Sequence, residues 1–161
     1  LADEFGAAKV FRPYRDVRFA KDKTPYKTHQ GAFVAAGPAT GWYFELSAQG
    51  TRVGAGFYEA SGPRLAAIRD AIDNDLTGRR LEKLVKTYER DWEIGGDTLK
   101  TAPRGYPKYH PRIELLRHRQ LFVGRPYGWE ADALYASLVE RVRADWRTLR
   151  PLVEWFAAIH D

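Results

Sequence analysis

Large apolar side chains alternate with polar ones in the first part of the chain. Between Trp42 and Ser47 every second side chain is large and apolar, which is the period of a strand buried on one face. Further β-rich runs lie on both sides of this stretch, and Gln49-Gly50 is a turn signal. The sequence therefore predicts strands over Lys9–Arg12, Gly31–Ala36, Gly41–Ala48 and Arg52–Glu59, with the last two paired as a hairpin.

Most of the later apolar residues recur at intervals of three and four, the spacing of one helical face. Ser61, before Gly62 and Pro63, is an N-cap candidate. The predicted helices are Leu1–Glu4, Pro63–Asn74, Arg80–Glu89, Pro111–His118, Glu130–Asp145 and Arg147–His160, with extended runs over Glu93–Lys100 and Gln120–Gly124 and a loop over Thr101–Pro111. This order predicts a single α+β domain over residues 1–161, with an antiparallel β-sheet covered by helices.

The composition excludes several classes of protein. Of the 161 residues, 44% are hydrophobic and 29% are charged, which excludes a disordered or collagen-like chain. Because the chain has no cysteine, disulfides, thiolate nucleophiles and cysteine-ligated metals are excluded. No apolar run approaches the ~20 residues that span a bilayer, and no secretory leader is visible, so we expect a cytoplasmic protein with no membrane partner.

The net charge of +5 is confined to one stretch, Lys9–His29, which we call the basic segment. It holds seven basic and two acidic residues, whereas the rest of the chain holds 19 of each and is neutral. Aromatic residues interleave the cations, and Pro13 and Pro25 restrict the backbone. A local surplus of charge indicates a local anion site rather than a general attraction to polyanions.

The basic segment contains the residue types that a phosphate or carboxylate site needs. A guanidinium group grips two oxygens at once with its planar fork, and a nearby aspartate can orient it. The predicted ligand contacts are Arg12, Arg15, Arg18, Lys21, Lys23 and Lys27, with Asp16 and Asp22 orienting them, Tyr26 and His29 at the edge, and Arg104 and Lys108 on an opposite wall. A purely structural arginine–aspartate network has the same spacing, and the sequence does not separate the two interpretations.

Catalysis and nucleic-acid binding are alternative functions. The chain lacks the common phosphate-loop, dinucleotide, serine-hydrolase and zinc-protease motifs, and its four histidines lack metal-site spacing, so we expect no cofactor and no metal. If the ligand is a substrate, His29 or Asp16 is the candidate acid or base, since nearby cations favour a neutral His29. Basic residues interleaved with aromatic ones also occur in grooves that bind single-stranded nucleic acid, although a net charge of +5 is modest for that function. The oligomeric state stays open.

A motif in the basic segment resembles a known family. Arg12, Arg15, Asp16, Arg18 and Phe19 form the pattern R-x-x-R-D-x-R-F, and Asp22, Lys23 and Tyr26 follow as [DN]-K-x-x-Y. Together with Gly54-Ala55-Gly56, Gly95-Gly96-Asp97, Leu99-Lys100 and Pro103-Arg104-Gly105, this motif resembles the bacterial and fungal conserved hypothetical proteins called Domain of Unknown Function 2461. The resemblance implies no established activity. Members of that family carry a helical part before this point and this chain contains no Met, so we expect it to be the larger C-terminal part of a longer protein.

Overall fold

The computed structural model describes residues 1–11, 29–128 and 136–161. Its strands are β1 (Lys9–Val10), β2 (His29–Gly37), β3 (Thr40–Ser47), β4 (Gly50–Phe57), β5 (Glu93–Gly95) and β6 (Leu121–Gly128). Its helices are α1 (Ala2–Phe5), α2 (Gly62–Asp73), α3 (Asp75–Tyr88), α4 (Ile113–Leu116) and α5 (Ala136–Ala157). The strands form one antiparallel sheet in the order β1-β2-β3-β4-β6-β5. The predicted α+β class is thereby confirmed.

A glycine closes the predicted hairpin between β3 and β4. The two strands pair in register from Thr40 opposite Phe57 to Ser47 opposite Gly50. Gly50 has a φ of 113°, and a Cβ there would lie 2.3 Å from the carbonyl carbon of Gly128. Any other residue would therefore strain the turn and collide with β6. The predicted pairing is confirmed.

The helices cover one face of the sheet, and the hydrophobic core lies between the two layers. α5 contributes buried Trp146, Leu149 and Phe156 to this core. The ring of Trp146 meets Phe5 of α1 at 5.3 Å between centroids, and Phe5 meets Trp42 of β3 at 5.0 Å. This aromatic cluster joins the short N-terminal helix to both layers.

A single buried arginine joins the start of α2 to the end of the chain. The Arg64 side chain is 1% exposed, and its guanidinium donates to the carbonyl oxygens of Pro38 at 3.1 Å, Phe156 at 2.7 Å and Ile159 at 2.5 Å. It also pairs with Asp161 at 3.1 Å. A buried charge is tolerated where its donors are satisfied in this way.

The prediction of two final helices is wrong, because α5 runs unbroken from Ala136 to Ala157. Its buried residues Val142, Trp146, Leu149, Val153 and Phe156 keep the spacing of three and four across the predicted break. Pro151 lies inside the helix and lacks the N–H that would bond to the preceding turn. Two carbonyl oxygens in this part of the helix accept from side chains: the Trp42 indole N–H donates to that of residue 146 at 3.2 Å, and the Tyr88 hydroxyl donates to that of residue 148 at 2.7 Å.

Two predicted boundaries also move. α3 begins at Asp75 rather than Arg80, because the Asn74 side chain caps it by accepting from the backbone N–H groups of Leu76 at 3.0 Å and Thr77 at 3.3 Å. β6 continues past the predicted end at Gly124 to Gly128, since β4 pairs with it along its whole length.

Candidate functional site

The sheet has two unlike faces. One packs on the helices, and we call the other, turned away from them, the far face. One row of residues in register across the six strands lies on the far face: Lys9, Phe33, Tyr43, Gly54, Gly124 and Glu93. Their chain neighbours Val34, Val53 and Val123 point into the core and are at most 2% exposed. Large apolar side chains thus cover the helix side, and glycines together with aromatic and charged residues form this row of the far face.

Aromatic rings lie over glycines on the far face. A Cβ on Gly41 would lie 2.9 Å from the ring of Phe33. A Cβ on Gly95 would lie 2.6 Å from the ring of Phe122 on the neighbouring strand. These rings occupy the space that a side chain would take, so the glycines allow them to lie close to the backbone.

Tyr58, just after β4, is the centre of an aromatic cluster. Its ring stacks with that of Phe122 at 5.8 Å and 16°, and it meets Phe33 edge-on at 5.6 Å. Tyr43 lies 6.2 Å away. The cluster therefore brings together residues from β2, β3 and β6 that are far apart in the sequence, and ring packing of this kind holds the side chains in fixed positions.

A cavity of about 800 Å³ lies on the far face beside this cluster. It is lined by residues from β1, β2, β3, β4 and β6 and from the segments that flank them: Lys9, Phe11, Phe33, Ala39, Tyr43, Glu45, Arg52, Val53, Gly54, Tyr58, Glu59, Gln120, Phe122 and Gly124. This volume lies in the range of sites that take small molecules, and a mainly apolar lining with a few polar groups is typical of them.

Two pairs of polar side chains lie along the cavity. The Tyr43 hydroxyl donates to Glu45 Oε2 at 2.5 Å, and Glu45 lies opposite Arg52 in the next strand. Arg52 in turn forms an ion pair with Glu93 of β5. Lys9 is exposed and has no ion pair within the described residues.

Two tyrosine hydroxyls face this environment in their protonated form. Burial, and then the hydrogen bond to Glu45, raises the pKa of Tyr43 above its ordinary value. Burial, and then the nearby Tyr43, raises the pKa of Tyr58. Both groups therefore act as hydrogen-bond donors at neutral pH. Within the described part of the chain, the Tyr58 hydroxyl has no hydrogen-bond partner.

Most of the predicted ligand contacts lie outside the described residues. These are Arg12, Arg15, Asp16, Arg18, Lys21, Asp22, Lys23, Tyr26 and Lys27. Of the basic segment, the structure places Lys9 in β1 and makes His29 the first residue of β2, paired with Ser47. The predicted acid or base roles of His29 and Asp16 stay predictions.

The loop that carries Arg104 and Lys108 is fixed to α2. The Tyr106 hydroxyl donates to Asp70 Oδ1 at 3.0 Å, and His110 Nε2 lies 2.8 Å from Asp73 Oδ1. Arg104 and Lys108 are both exposed, and neither lines the far-face cavity. Their predicted place on a wall opposite the basic segment stays a prediction.

Sequence reasoning did not identify the aromatic lining of the cavity. Because side chains alternate along β3, Tyr43 and Glu45 lie on the face of the sheet away from buried Trp42. This alternation is the one feature of the sequence that indicates which residues lie on the far face. In Gly54-Ala55-Gly56 the backbone of β4 packs closely on β6, where a Cβ on Gly56 would lie 2.0 Å from the Leu121 carbonyl oxygen. The strand order that joins Phe122 to Tyr58 has no counterpart in local sequence pattern.

Residues 1–11, 29–128 and 136–161 contain no group of three or more histidine and carboxylate side chains placed to hold a metal ion. None of the helices in these ranges has both the length and the apolar character needed to cross a bilayer.

Comparison with known proteins identifies a family. Residues 2–155 match the family model described as a conserved hypothetical protein (DUF2461). No curated protein and no solved structure matches the chain.

Proposed function

We propose that this chain, which belongs to the DUF2461 family of conserved hypothetical proteins, binds a small phosphate- or carboxylate-bearing ligand at the far-face cavity. The observation that carries the proposal is the position of the cavity at the edge of the sheet where the basic segment departs and returns. Phe11 lines the cavity, and its backbone N–H donates to the carbonyl oxygen of Gly31 at 2.9 Å.

This connection limits how far the intervening cations lie from the cavity. Residues 12–28 carry six basic and two acidic side chains; this stretch follows Phe11, which lines the cavity, and leads into β2, which contributes Phe33 to the lining. Arg12, Arg15 and Arg18 follow Phe11 by one, four and seven residues, so at most about 25 Å of chain joins each of them to the cavity lining. The motif arginines Arg12, Arg15 and Arg18 are the residues that we assign to the anionic group.

The charges in the cavity lining explain why these residues are needed. The lining contains two cations, Lys9 and Arg52, and two carboxylates, Glu45 and Glu59. Arg52 is already paired with Glu93, so Lys9 is the cation in this lining that has no described ion partner. An anion in a cavity with a neutral lining would lose more free energy by giving up its hydration than it would gain from contacts with the lining. The surplus of charge in residues 12–28 supplies the missing attraction.

Isothermal titration calorimetry with inorganic pyrophosphate and with citrate tests the proposal. The variant Arg12→Ala/Arg15→Ala/Arg18→Ala is expected to bind either probe at least about tenfold more weakly than the unaltered chain. The control variant Arg79→Ala/Arg80→Ala/Arg90→Ala removes the same charge from exposed positions on and after α3 and is expected to keep the affinity.

Two results would overturn the proposal. One is equal affinity in the two triple variants, because the effect would then come from net charge alone. The other is a first variant that unfolds more easily but binds each probe as the unaltered chain does, because the arginines would then form a structural network.

A further inference from the structure

α3 and α5 run antiparallel and are joined near both ends of α3. The Trp155 indole N–H donates to the carbonyl oxygen of Thr77 at 2.9 Å, and the Tyr88 hydroxyl donates to that of Thr148 at 2.7 Å. These two hydrogen bonds fix the spacing of the helices, so the space between them is a preformed groove, which we call the helical groove. Its volume is about 710 Å³, and it shares no lining residue with the far-face cavity.

Apolar side chains form the floor of the helical groove. Leu84 contributes from α3, Trp155 from α5 and Ile159 from the chain just after α5, and all three pack with the hydrophobic core. The lining from α3 extends from Thr77 to Thr87, which is about 15 Å at 1.5 Å per residue. The hydroxyl groups of these two threonines donate to backbone carbonyl oxygens of α2 and α3 at 2.5 Å and 2.9 Å. The donors that the groove offers to a partner are therefore its charged side chains.

Two basic side chains on the α3 wall have no acidic partner. Arg79 and Lys86 of α3 each pair with the acidic residue four positions earlier, at 3.9 Å and 3.6 Å, and neither lines the groove. Arg80 and Lys83 do line it, are exposed, and form no ion pair within the residues that the structure describes. The unpaired positive charge of α3 thus lies along the helical groove.

The opposite wall carries one negative charge. Glu154 of α5 lines the groove, is exposed, and likewise has no ion partner in the described parts of the chain. Pro151 and Ala158 line the same wall and are exposed as well, so the groove is open to solvent there. A complementary partner therefore carries acidic groups along the α3 edge and a polar surface on the side that faces the water.

An amphipathic helix has these properties. Its apolar residues, spaced at intervals of three and four, form a stripe that covers an apolar floor, while its outer face stays hydrated. About three helical turns match a floor of about 15 Å. An acyl chain with one carboxylate would leave one side of its apolar surface in water, so the open groove favours the helix.

We propose that the helical groove binds an amphipathic helix of a partner protein, with its apolar stripe against Leu84 and Trp155 and an acidic edge against Arg80 and Lys83. The two unpaired cations attract the acidic edge to the α3 wall, and Glu154 repels it from the α5 wall. This surface is independent of the proposed anion site, because the two sites have no residue in common.

Two helical peptides with the same apolar face test the charge of the partner. Each has about five turns, with leucines at intervals of three and four on one face and with glutamine and alanine elsewhere. One edge of the leucine stripe carries glutamates in the acidic peptide and lysines in the basic peptide. Fluorescence anisotropy of the labelled peptides measures their affinities for the unaltered chain. The acidic peptide is expected to bind at least about tenfold more tightly than the basic peptide.

Charge reversal with a matched control locates the binding surface. The variant Arg80→Glu/Lys83→Glu is expected to bind the basic peptide more tightly than the acidic one, because the charge on the α3 wall is then negative. The control Arg79→Glu/Lys86→Glu makes the same change of net charge on α3 outside the groove and is expected to keep the preference for the acidic peptide. Circular dichroism checks that both variants fold.

Amide chemical shifts of the unaltered chain locate the peptide without any substitution. Titration with the acidic peptide is expected to shift the signals of Leu84, Trp155 and Ile159 and to leave that of Gly54 in the far-face cavity unchanged.

Four results would overturn the proposal. They are equal affinity of the unaltered chain for the two peptides, an unaltered preference in Arg80→Glu/Lys83→Glu, and shifts that avoid the groove. The fourth is a dimer in sedimentation velocity that Arg80→Glu/Lys83→Glu dissociates, because the groove would then bind a second copy of this chain.

Discussion

Glu4 is a single carboxylate that several arginines of α5 share. It accepts from Arg143 at 2.9 Å, from Arg147 at 2.6 Å and from Arg150 at 3.2 Å. The hydrogen bond from Arg147 is the largest contribution that lowers the pKa of Glu4, from 4.5 to about 2. At the residue scale, this cluster attaches α1 to α5 next to the aromatic contacts of Phe5.

Replacing Glu4 by Gln should lower the thermal stability in a pH-dependent way. Because the pKa of Glu4 is lower in the folded chain, its contribution is fully present above pH 4.5 and is lost as the pH falls towards 2. We therefore expect Glu4→Gln to have a lower Tm than the unaltered chain at pH 7, and the difference to shrink between pH 4.5 and pH 2. Thermal unfolding monitored by circular dichroism measures this, with Glu89→Gln as an exposed control. A difference that is constant over this range would contradict the role of the charge.

The chain of hydrogen bonds and ion pairs around Glu4 was not predictable from the sequence. The sequence predicted the end of a helix over Leu1–Glu4, and α1 covers Ala2–Phe5. More than 130 residues separate Glu4 from its arginine partners, and local spacing contains no information about such a contact. The same holds for Arg64, which is buried although its type favours exposure.

At the scale of elements, hydrophobic periodicity predicted the type and order of the helices and strands better than it predicted where each begins and ends. The alternation in β3 and the turn at Gln49-Gly50 gave the hairpin, because both signals act within a few residues. The predicted division of α5 at residue 146 was wrong, because Trp146 is buried and continues the apolar face of one helix. α3 begins earlier than predicted because Asn74 caps it. The sequence did not indicate this start, since Gly78 in the first turns is a residue type that disfavours helices.

Gly78 shows how close packing decides this boundary. A Cβ there would lie 2.0 Å from the carbonyl oxygen of Ile72 and 2.5 Å from Nε of buried Arg112. Arg112 uses the same Nε to donate to that carbonyl at 2.7 Å. The corner between α2 and α3 therefore leaves no room for a methyl group.

Alanine substitutions at the two helical glycines should have opposite effects. Gly78→Ala is expected to lower the free energy of unfolding by about 1–3 kcal/mol, because the collision with backbone outweighs the better helix propensity of alanine. Gly62→Ala in the first turn of α2 meets nothing within 4 Å and is expected to be neutral or to stabilise by up to about 1 kcal/mol. Urea denaturation of both variants measures the difference. Equal stability of the two would show that the corner adapts without cost.

At the scale of the whole molecule, the location of the charge is more informative than its total. The net charge of +5 is confined to Lys9–His29, and the structure places Lys9 and Phe11, at the start of this segment, in the lining of an aromatic cavity on the far face. The cavity itself could not be predicted, because five strands and their flanking segments contribute to it and the strand order is a tertiary property. The match over residues 2–155 shows that the chain belongs to the DUF2461 family, and it assigns no activity.

The central claim is that an anionic ligand occupies the far-face cavity, and amide chemical shifts test this most directly. In two-dimensional ¹H–¹⁵N spectra of the chain titrated with inorganic pyrophosphate, we expect the largest shifts at Gly54, Gly124 and Phe33, which line the cavity. The amide signals of α3, on the other side of the sheet, should stay in place. Saturable shifts confined to α3 or α5, with Gly54 and Gly124 unchanged, would contradict the claim.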